Sequence, residues 1–208
     1  MSPTLAANQI PSRNEMTLGP LIIVSGPSGS GKSTLIDQVL AVFGLRLRHS
    51  ISATTRQPRT GEVDGVHYHF WTRERFEAGI AAGEFLEFAT VFGRDYYGTP
   101  RSEVERFRAA GIGVILDIDV QGAAQLRHTC PDAWSVFLDT PPGEYERRLR
   151  ERHSDSEEAV QRRLEEARVE LARVREFDCR IVNDDLERAA GELCDVIRRR
   201  FELSTQGR

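Results

Sequence analysis

Four apolar residues, Leu21-Ile22-Ile23-Val24, run into a glycine-rich turn, Gly26-Pro27-Ser28-Gly29-Ser30-Gly31, which opens directly onto Lys32-Ser33-Thr34. The apolar run reads as a short buried strand, and the helical spacing of Leu35, Ile36, Val39, Leu40 and Phe43 predicts a helix to about Gly44. Strand, turn and helix in this order complete the pattern G-x-x-x-x-G-K-[ST] in its proper context. Each residue type serves a separate need. Glycines let the backbone curl so that its N–H groups converge on phosphate oxygens, and the helix N-terminus adds partial positive charge. Lys32 is placed to reach the β- and γ-phosphates of a nucleoside triphosphate, and the Ser33 hydroxyl to sit on Mg²⁺. The whole stretch from Gly26 to Thr34 is therefore the candidate triphosphate cradle.

The usage of basic residues sharpens this reading. The chain has 28 lysines and arginines together, and Lys32 is its single lysine. A compact ammonium on a flexible stem fits a tight phosphate loop where a planar guanidinium fork does not. The net charge of −4 argues against a broad nucleic-acid surface, so any further anion site has to be a local group of arginines. Cys130, Cys179 and Cys194 are odd in number and lack metal-ligand spacing, which suits reduced thiols in a reducing compartment. His67 and His69, two apart in a strand-like run, read as strand residues, and no metal site made of protein ligands alone is expected. No apolar run approaches a membrane span and no signal-peptide pattern opens the chain, so the expected location is the cytoplasm, with no membrane partner.

Along the chain, residues 1–18 are polar and without periodicity, and are expected to form a disordered tail. Residues 49–99 break into short strand-like pieces, His49–Ser52 and Val66–Phe70, then a short helix and a further strand around Phe76, Ile80, Phe85 and Phe88; this predicts an inserted mixed α/β subdomain. Arg101–Ala110 is helix-like. Gly113–Asp119 reads as a second core strand ending in carboxylates, Trp134–Asp139 as a third, and Ile181-Val182 as a short last one before an amphipathic final helix. Strands alternating with helices predict an α/β fold with a parallel sheet flanked by helices on both faces. Between them, residues 143–176 are dense in charge. Val160, Leu164, Ala167, Leu171 and Val174 form a helical stripe there, preceded by a capping-box pattern at Ser154-Asp155-Ser156-Glu157. Arg150, Arg168 and Arg175 have glutamates at helical spacing and read as a solvated face.

Two further constellations carry chemistry. Asp117 ends a buried strand, where a phosphate-loop protein holds the carboxylate of its magnesium shell. Arg56 and Arg59 lie three apart around Pro58, two guanidinium forks on a stiffened loop suited to a second phosphate.

The runs SATTRQPRTGEVDGVHYHF, GEFLEFATVFGRDYYGT, VILDIDVQG and IVNDDL resemble guanylate kinase, in the family's order and over most of the chain from Leu21 to the last helix. The resemblance implies phosphoryl transfer from ATP to GMP, and use of dGMP, within purine nucleotide metabolism. By position, Ser52, Glu87 and Thr99 would bind guanine; Arg56, Arg59, Tyr68 and Tyr97 the GMP phosphate; Asp117 and Asp119 would form an acidic pair near the metal and the GMP nucleoside. Arg148, Arg152 and Arg163 would be lid arginines closing on the ATP phosphates, and Asn183 an adenine-side residue. Lys32, Arg56 and the three lid arginines make up the expected catalytic set. The implied organisation is a core at 19–48 and 100–142, a GMP-binding insert at 49–99, a lid at 143–165 and a C-terminal core at 166–208. His153 follows Arg152 where many relatives have glycine, and the match begins just after Met16, a second candidate start. A silent scaffold-type module would typically have lost the phosphate loop, which is intact. A GTPase would need an N-K-x-D motif, which Asn183-Asp184-Asp185 does not supply. An AMP or UMP kinase stays open, as does the choice between monomer and homo-oligomer.

Overall fold

The computed structural model describes residues 18–91, 93–151 and 157–206. Their elements run β1 (Leu21–Ser25), α1 (Lys32–Phe43), β2 (Leu47–His49), β3 (Ala53–Thr54), β4 (His69–Phe70), α2 (Arg73–Ala81), β5 (Phe85–Val91) and β6 (Asp95–Pro100). Then come α3 (Glu105–Ala109), β7 (Gly113–Asp117), α4 (Val120–Thr129), β8 (Trp134–Asp139), α5 (Pro142–Glu151), α6 (Glu157–Leu171), β9 (Cys179–Val182) and α7 (Leu186–Gln206).

Five strands form one parallel sheet in the order β2-β7-β1-β8-β9. β1 is central and buried throughout, and its side chains alternate between two apolar layers. Ile22 and Val24 pack with Leu35, Ile36 and Val39 of α1 and Leu193 and Ile197 of α7. Leu21 and Ile23 pack on the other face with Val104, Val114, Leu116 and Ala123 and Leu126 of α4. The chain leaves β1 between neighbours reached by crossovers to opposite sides, and this switch point opens the crevice in which α/β sheets bind ligands.

A second sheet, β4-β3-β6-β5, is mostly antiparallel, only β3 and β4 running side by side. Its small core is aromatic. Phe76 of α2 is fully buried, stacked on Phe85 at 4.3 Å and on Tyr96 at 5.2 Å between ring centres. Truncating such a ring to alanine typically costs about 3–5 kcal/mol, so Phe76 anchors the sheet.

Several expectations shift in detail. The strand expected at His49–Ser52 lies at Leu47–His49 and pairs with β7, so it belongs to the core sheet. Leu47 buries its side chain there, and the ladder closes with the Ser50 amide donating to the Ile115 carbonyl. The strand expected at Val66–Phe70 is only His69–Phe70, because Val66 and His67 turn back to donate to the Val63 carbonyl. Arg101–Ala110 splits into a 3₁₀ turn at Arg101–Glu103 and α3. β6 and α4 had no counterpart in the sequence reading. Asp119 stands beyond β7 as the cap of α4, one carboxylate oxygen accepting from the Gln121 and Gly122 amides. The tail up to residue 17, the first three residues of the expected capping box, Arg152 and His153 lie outside the described residues.

Candidate active site

The phosphate loop joins β1 to α1 with Gly26, Gly29 and Gly31 all at positive φ. Two of these glycines are required by contact as well as conformation. A Cβ on Gly26 would sit 2.2 Å from the Leu138 carbonyl oxygen, and one on Gly31 would sit 2.5 Å from the Asn183 side-chain nitrogen. Gly31 starts α1 with no side-chain cap, which leaves the amides of the first turn facing the loop. Lys32 folds back over this loop: its Nζ donates to the carbonyls of Gly26 at 2.7 Å and Pro27 at 3.3 Å, and lies 3.9 Å from Asp117.

Other elements brace the loop. Thr140 donates to the Ser30 carbonyl at 3.2 Å, and the buried Asn183 amide donates to the same oxygen at 2.7 Å. Arg148, expected in the lid, reaches the loop: its Nη2 donates to the Asn183 carbonyl at 3.0 Å. Arg163 is half-buried in α6, its carbonyl accepting from the Tyr145 hydroxyl, and it lies outside the lining of the clefts described below.

A cleft of about 690 Å³ spreads from the loop and the start of α1 across to Ser52, Glu62 and Tyr68. Asp117, Asp119 and Glu170 bring carboxylates into it. A smaller cleft of about 150 Å³ continues from it into the second sheet, lined by Glu87, Ala89, Val91, Tyr97 and Gly98. Ser52, Tyr68, Asp117, Ile118 and Asp119 line both, so the two volumes are one bipartite groove with a waist.

Glu87 is the charge at the deep end. It is buried, with one oxygen accepting from Thr99 Oγ1 at 2.7 Å. Burial pushes its carboxyl up to about 7 and the nearby Asp119 adds to this, while the Thr99 hydrogen bond works the other way. Glu170 is likewise pushed up to about 7, first by burial, with Lys32 opposing.

Of the expected phosphate ligands, Tyr68 lines both volumes and Tyr97 the smaller one. Tyr68 and Tyr97 meet edge to face at 5.9 Å, and Arg56 lies over the Tyr68 ring while its Nε donates to the Tyr97 hydroxyl at 3.0 Å. Glu62, which the sequence reading passed over, takes Arg56 in a two-pronged pair, with both bonds at 2.9 Å, and also accepts from the Arg59 amide at 2.6 Å. These bonds hold the Glu62 carboxyl down at about 2. Its signal was a glutamate three residues past Arg59 in a turn marked by Gly61. The Arg59 side chain stands exposed, and neither Arg56 nor Arg59 is part of either lining.

Among the described residues, six buried side-chain polar atoms lack a hydrogen-bond partner. Five of them surround the phosphate loop and its cleft: Ser25 Oγ, Ser30 Oγ, Ser50 Oγ, Glu170 Oε2 and Asn183 Oδ1. Buried polar groups are nearly always satisfied, so such a concentration marks a place where a ligand and its water complete the bonding. No cluster of three His, Cys, Asp or Glu residues among those described is placed to hold a metal ion. A magnesium shell completed by phosphates and water does not require one, and Ser33 and Asp117 share the cleft as hard oxygen donors.

With that geometry in place, comparison with known proteins is informative. The family model for guanylate kinase matches residues 19–200. A guanylate kinase of Rubrobacter xylanophilus is 50% identical over 185 residues, covering 88% of this chain and 96% of that protein. One of Neisseria gonorrhoeae is 49% identical over 180 residues, covering 86% and 87%. Among solved structures, a guanylate kinase from Anaplasma phagocytophilum superposes with a TM-score of 0.69 at 30% identity, covering 88% of this chain and 86% of that one.

Proposed function

The chain belongs to the guanylate kinase family, and we propose that it transfers the terminal phosphoryl group of ATP to GMP or dGMP with Mg²⁺, without a general base. The observation that carries this reading is the bipartite groove, with a complete phosphate loop at one end and a buried carboxylate, Glu87, at the other.

ATP takes the loop from Gly26 to Thr34, with Asn183 and its unpartnered Oδ1 on the adenine side. GMP takes the inner cleft. Guanine presents N1–H and N2–H side by side to Glu87, with Ser52 and Thr99 beside it, while Arg56, Arg59, Tyr68 and Tyr97 hold its phosphate. The nucleophile is a GMP phosphate oxygen, which with a second pKa near 6 is already mostly ionised at neutral pH. No side chain has to remove a proton. The task is to bring two polyanions into line, and Lys32, Arg56, Arg148, Arg152 and Arg163 do so by position and charge. Mg²⁺, held by Ser33 and Asp117, would supply further neutralisation of the ATP phosphates. Lys32 leaves the loop carbonyls it now binds to follow the transferring group. Closure of the 49–99 insert and the 143–165 lid excludes water, which would otherwise consume ATP. We place the reaction in the cytoplasm, where the free thiols of Cys130, Cys179 and Cys194 stay reduced.

A coupled assay of ADP release with ATP and a panel of GMP, dGMP, AMP and UMP, with and without Mg²⁺, tests this. Metal-dependent turnover with GMP and dGMP is expected. Turnover with AMP or UMP rivalling that with GMP, or none with any acceptor, overturns it.

A further inference from the structure

The wall behind Glu87 is not part of the second sheet. It is the first half of α4, a core helix, and two of its residues meet the strand that carries the carboxylate. Gly122 is buried in the first turn of α4, where alanine would serve the helix better. A Cβ at this position would lie 2.5 Å from Glu87 Oε2 and 3.1 Å from its Cδ. Glu87 has little room to retreat, being buried and tied through its other oxygen to Thr99. One turn further on, the Gln125 amide clamps the main chain next to Glu87: its Oε1 accepts from the Phe88 amide at 3.2 Å, and its Nε2 donates to the Phe88 carbonyl at 2.8 Å. An amide bonded to both polar groups of one residue imitates a neighbouring strand and fixes that strand's position against the helix. Asp119 fixes the same turn of α4 from below by capping the Gly122 amide.

We propose that Gly122 and Gln125 are positioning residues for base selection: α4 sets the place of the Glu87 carboxylate, and with it the preference for guanine over purines lacking the 2-amino group. The proposal rests on the reading of Glu87 as the guanine-binding residue. A carboxylate takes both N1–H and N2–H only when its two oxygens lie level with them. Hypoxanthine keeps N1–H and lacks the amine, so the ratio of GMP to IMP efficiency reports the second bond, and hence the placement.

The test is the kinetics of the full chain with GMP and IMP as acceptors, for wild type, Gly122→Ala and Gln125→Ala, alongside KM for ATP and the melting temperature. Gly122→Ala pushes directly on Glu87 and is expected to lower the GMP/IMP ratio of kcat/KM about tenfold or more. Gln125→Ala, at an exposed position, is expected to fold normally and lower the ratio about threefold to fivefold, with KM for ATP within about twofold of wild type. A general loosening of the fold would lower both acceptors and ATP together and leave the ratio unchanged. An unchanged ratio in Gln125→Ala overturns the proposal, as does a rise in KM for ATP as large as the rise in KM for GMP. A wild type that does not prefer GMP to IMP fails differently, by removing Glu87 from base recognition altogether.

Discussion

On the reading proposed above, the two ends of the groove bind phosphate by opposite means. At the proposed triphosphate end the ligands would be main-chain amides, held by glycines whose missing side chains leave room for Leu138 and Asn183. At the proposed monophosphate end they would be side chains from separate segments, Arg56 after β3, Tyr68 before β4 and Tyr97 in β6, joined by one hydrogen bond from Arg56 to Tyr97 and by ring contacts with Tyr68. The main-chain site has its geometry before any ligand arrives. The side-chain site balances its own charge with a carboxylate, Glu62, paired with Arg56. A main-chain site tolerates few substitutions because each one moves backbone. A side-chain site can be tuned residue by residue, and so can carry selectivity.

The strongest way to break this contrast is at its exception, since Lys32 is a long side chain folded onto the loop carbonyls of the main-chain end. Lys32→Ala should lower kcat by about 10³-fold or more, and Lys32→Arg should be severely impaired as well, because the planar fork cannot follow the phosphoryl group within so narrow a loop. Steady-state rates of both variants decide it; near-normal turnover in Lys32→Arg would show that any cation serves. At the other end, Glu87→Gln should lower kcat/KM for GMP by about 2–4 kcal/mol while KM for ATP stays put, as one acceptor pair is replaced by a mixed amide. Loss on the ATP side of equal size would mean that the two ends are not independent.

The two ends should also separate by pH. In the proposed role Glu87 must be ionised to accept from guanine, and its carboxyl is pushed up to about 7. The profile of kcat/KM for GMP should therefore fall by about tenfold from pH 8 to pH 6, with much of that dependence absent in Glu87→Gln. The GMP phosphate titrates near pH 6 in both proteins, so the difference between the two profiles isolates Glu87. Stability carries the same signature with the sign reversed. A carboxyl whose folded value lies above its unfolded value of 4.5 favours the folded state most at low pH, and that favour is lost as pH rises through about 7. Without nucleotide, Glu87→Gln should thus gain on wild type by on the order of 1–3 kcal/mol between pH 4.5 and pH 8, measured by denaturant unfolding.

The contrast also governs what could be read from the sequence. The main-chain end is contiguous: Gly26, Gly31, Lys32 and Ser33 are fixed in spacing because they share one turn, so the spacing alone revealed them. β1 and β7 were legible for a similar reason, being buried on both faces over apolar runs, and β8 through its buried Val136, Phe137 and Leu138. α4 was not, since Gly122 interrupts it early and its outer residues are polar. β6 was hidden by Tyr96, Tyr97, Gly98 and Thr99, which alternate between an aromatic core and a polar pocket and so lack an apolar face. Glu62 drew no reading from the sequence. Its importance lies in a partner six residues back that only the folded turn brings within reach.

Glu62 gives the finest test of the comparison, because its effect is small and its direction is informative. An arginine has five N–H donors. In Arg56, Nε serves Tyr97, Nη1 serves both the Gln57 carbonyl and Glu62, and one Nη2 donor serves Glu62, which leaves a single Nη2–H open. The Tyr97 hydroxyl, accepting from Nε, keeps its own proton to donate. The site therefore presents a fixed pair of donors to an incoming phosphate, with Arg56 steadied rather than blocked by its partner. On this view Glu62→Gln frees a long side chain that must be ordered again at each encounter, and KM for GMP should rise about fivefold with kcat little changed. If Glu62 instead occupied the seat of the phosphate, removing its charge would lower KM for GMP. Guanosine, which lacks the phosphate, should bind both proteins alike as a competitive inhibitor, and a parallel loss there would mean that the turn from Arg56 to Glu62 had collapsed. A rise for GMP alone would establish that this end of the groove, like the phosphate loop, is set before its ligand arrives, with one carboxylate doing for side chains what glycines do for the backbone.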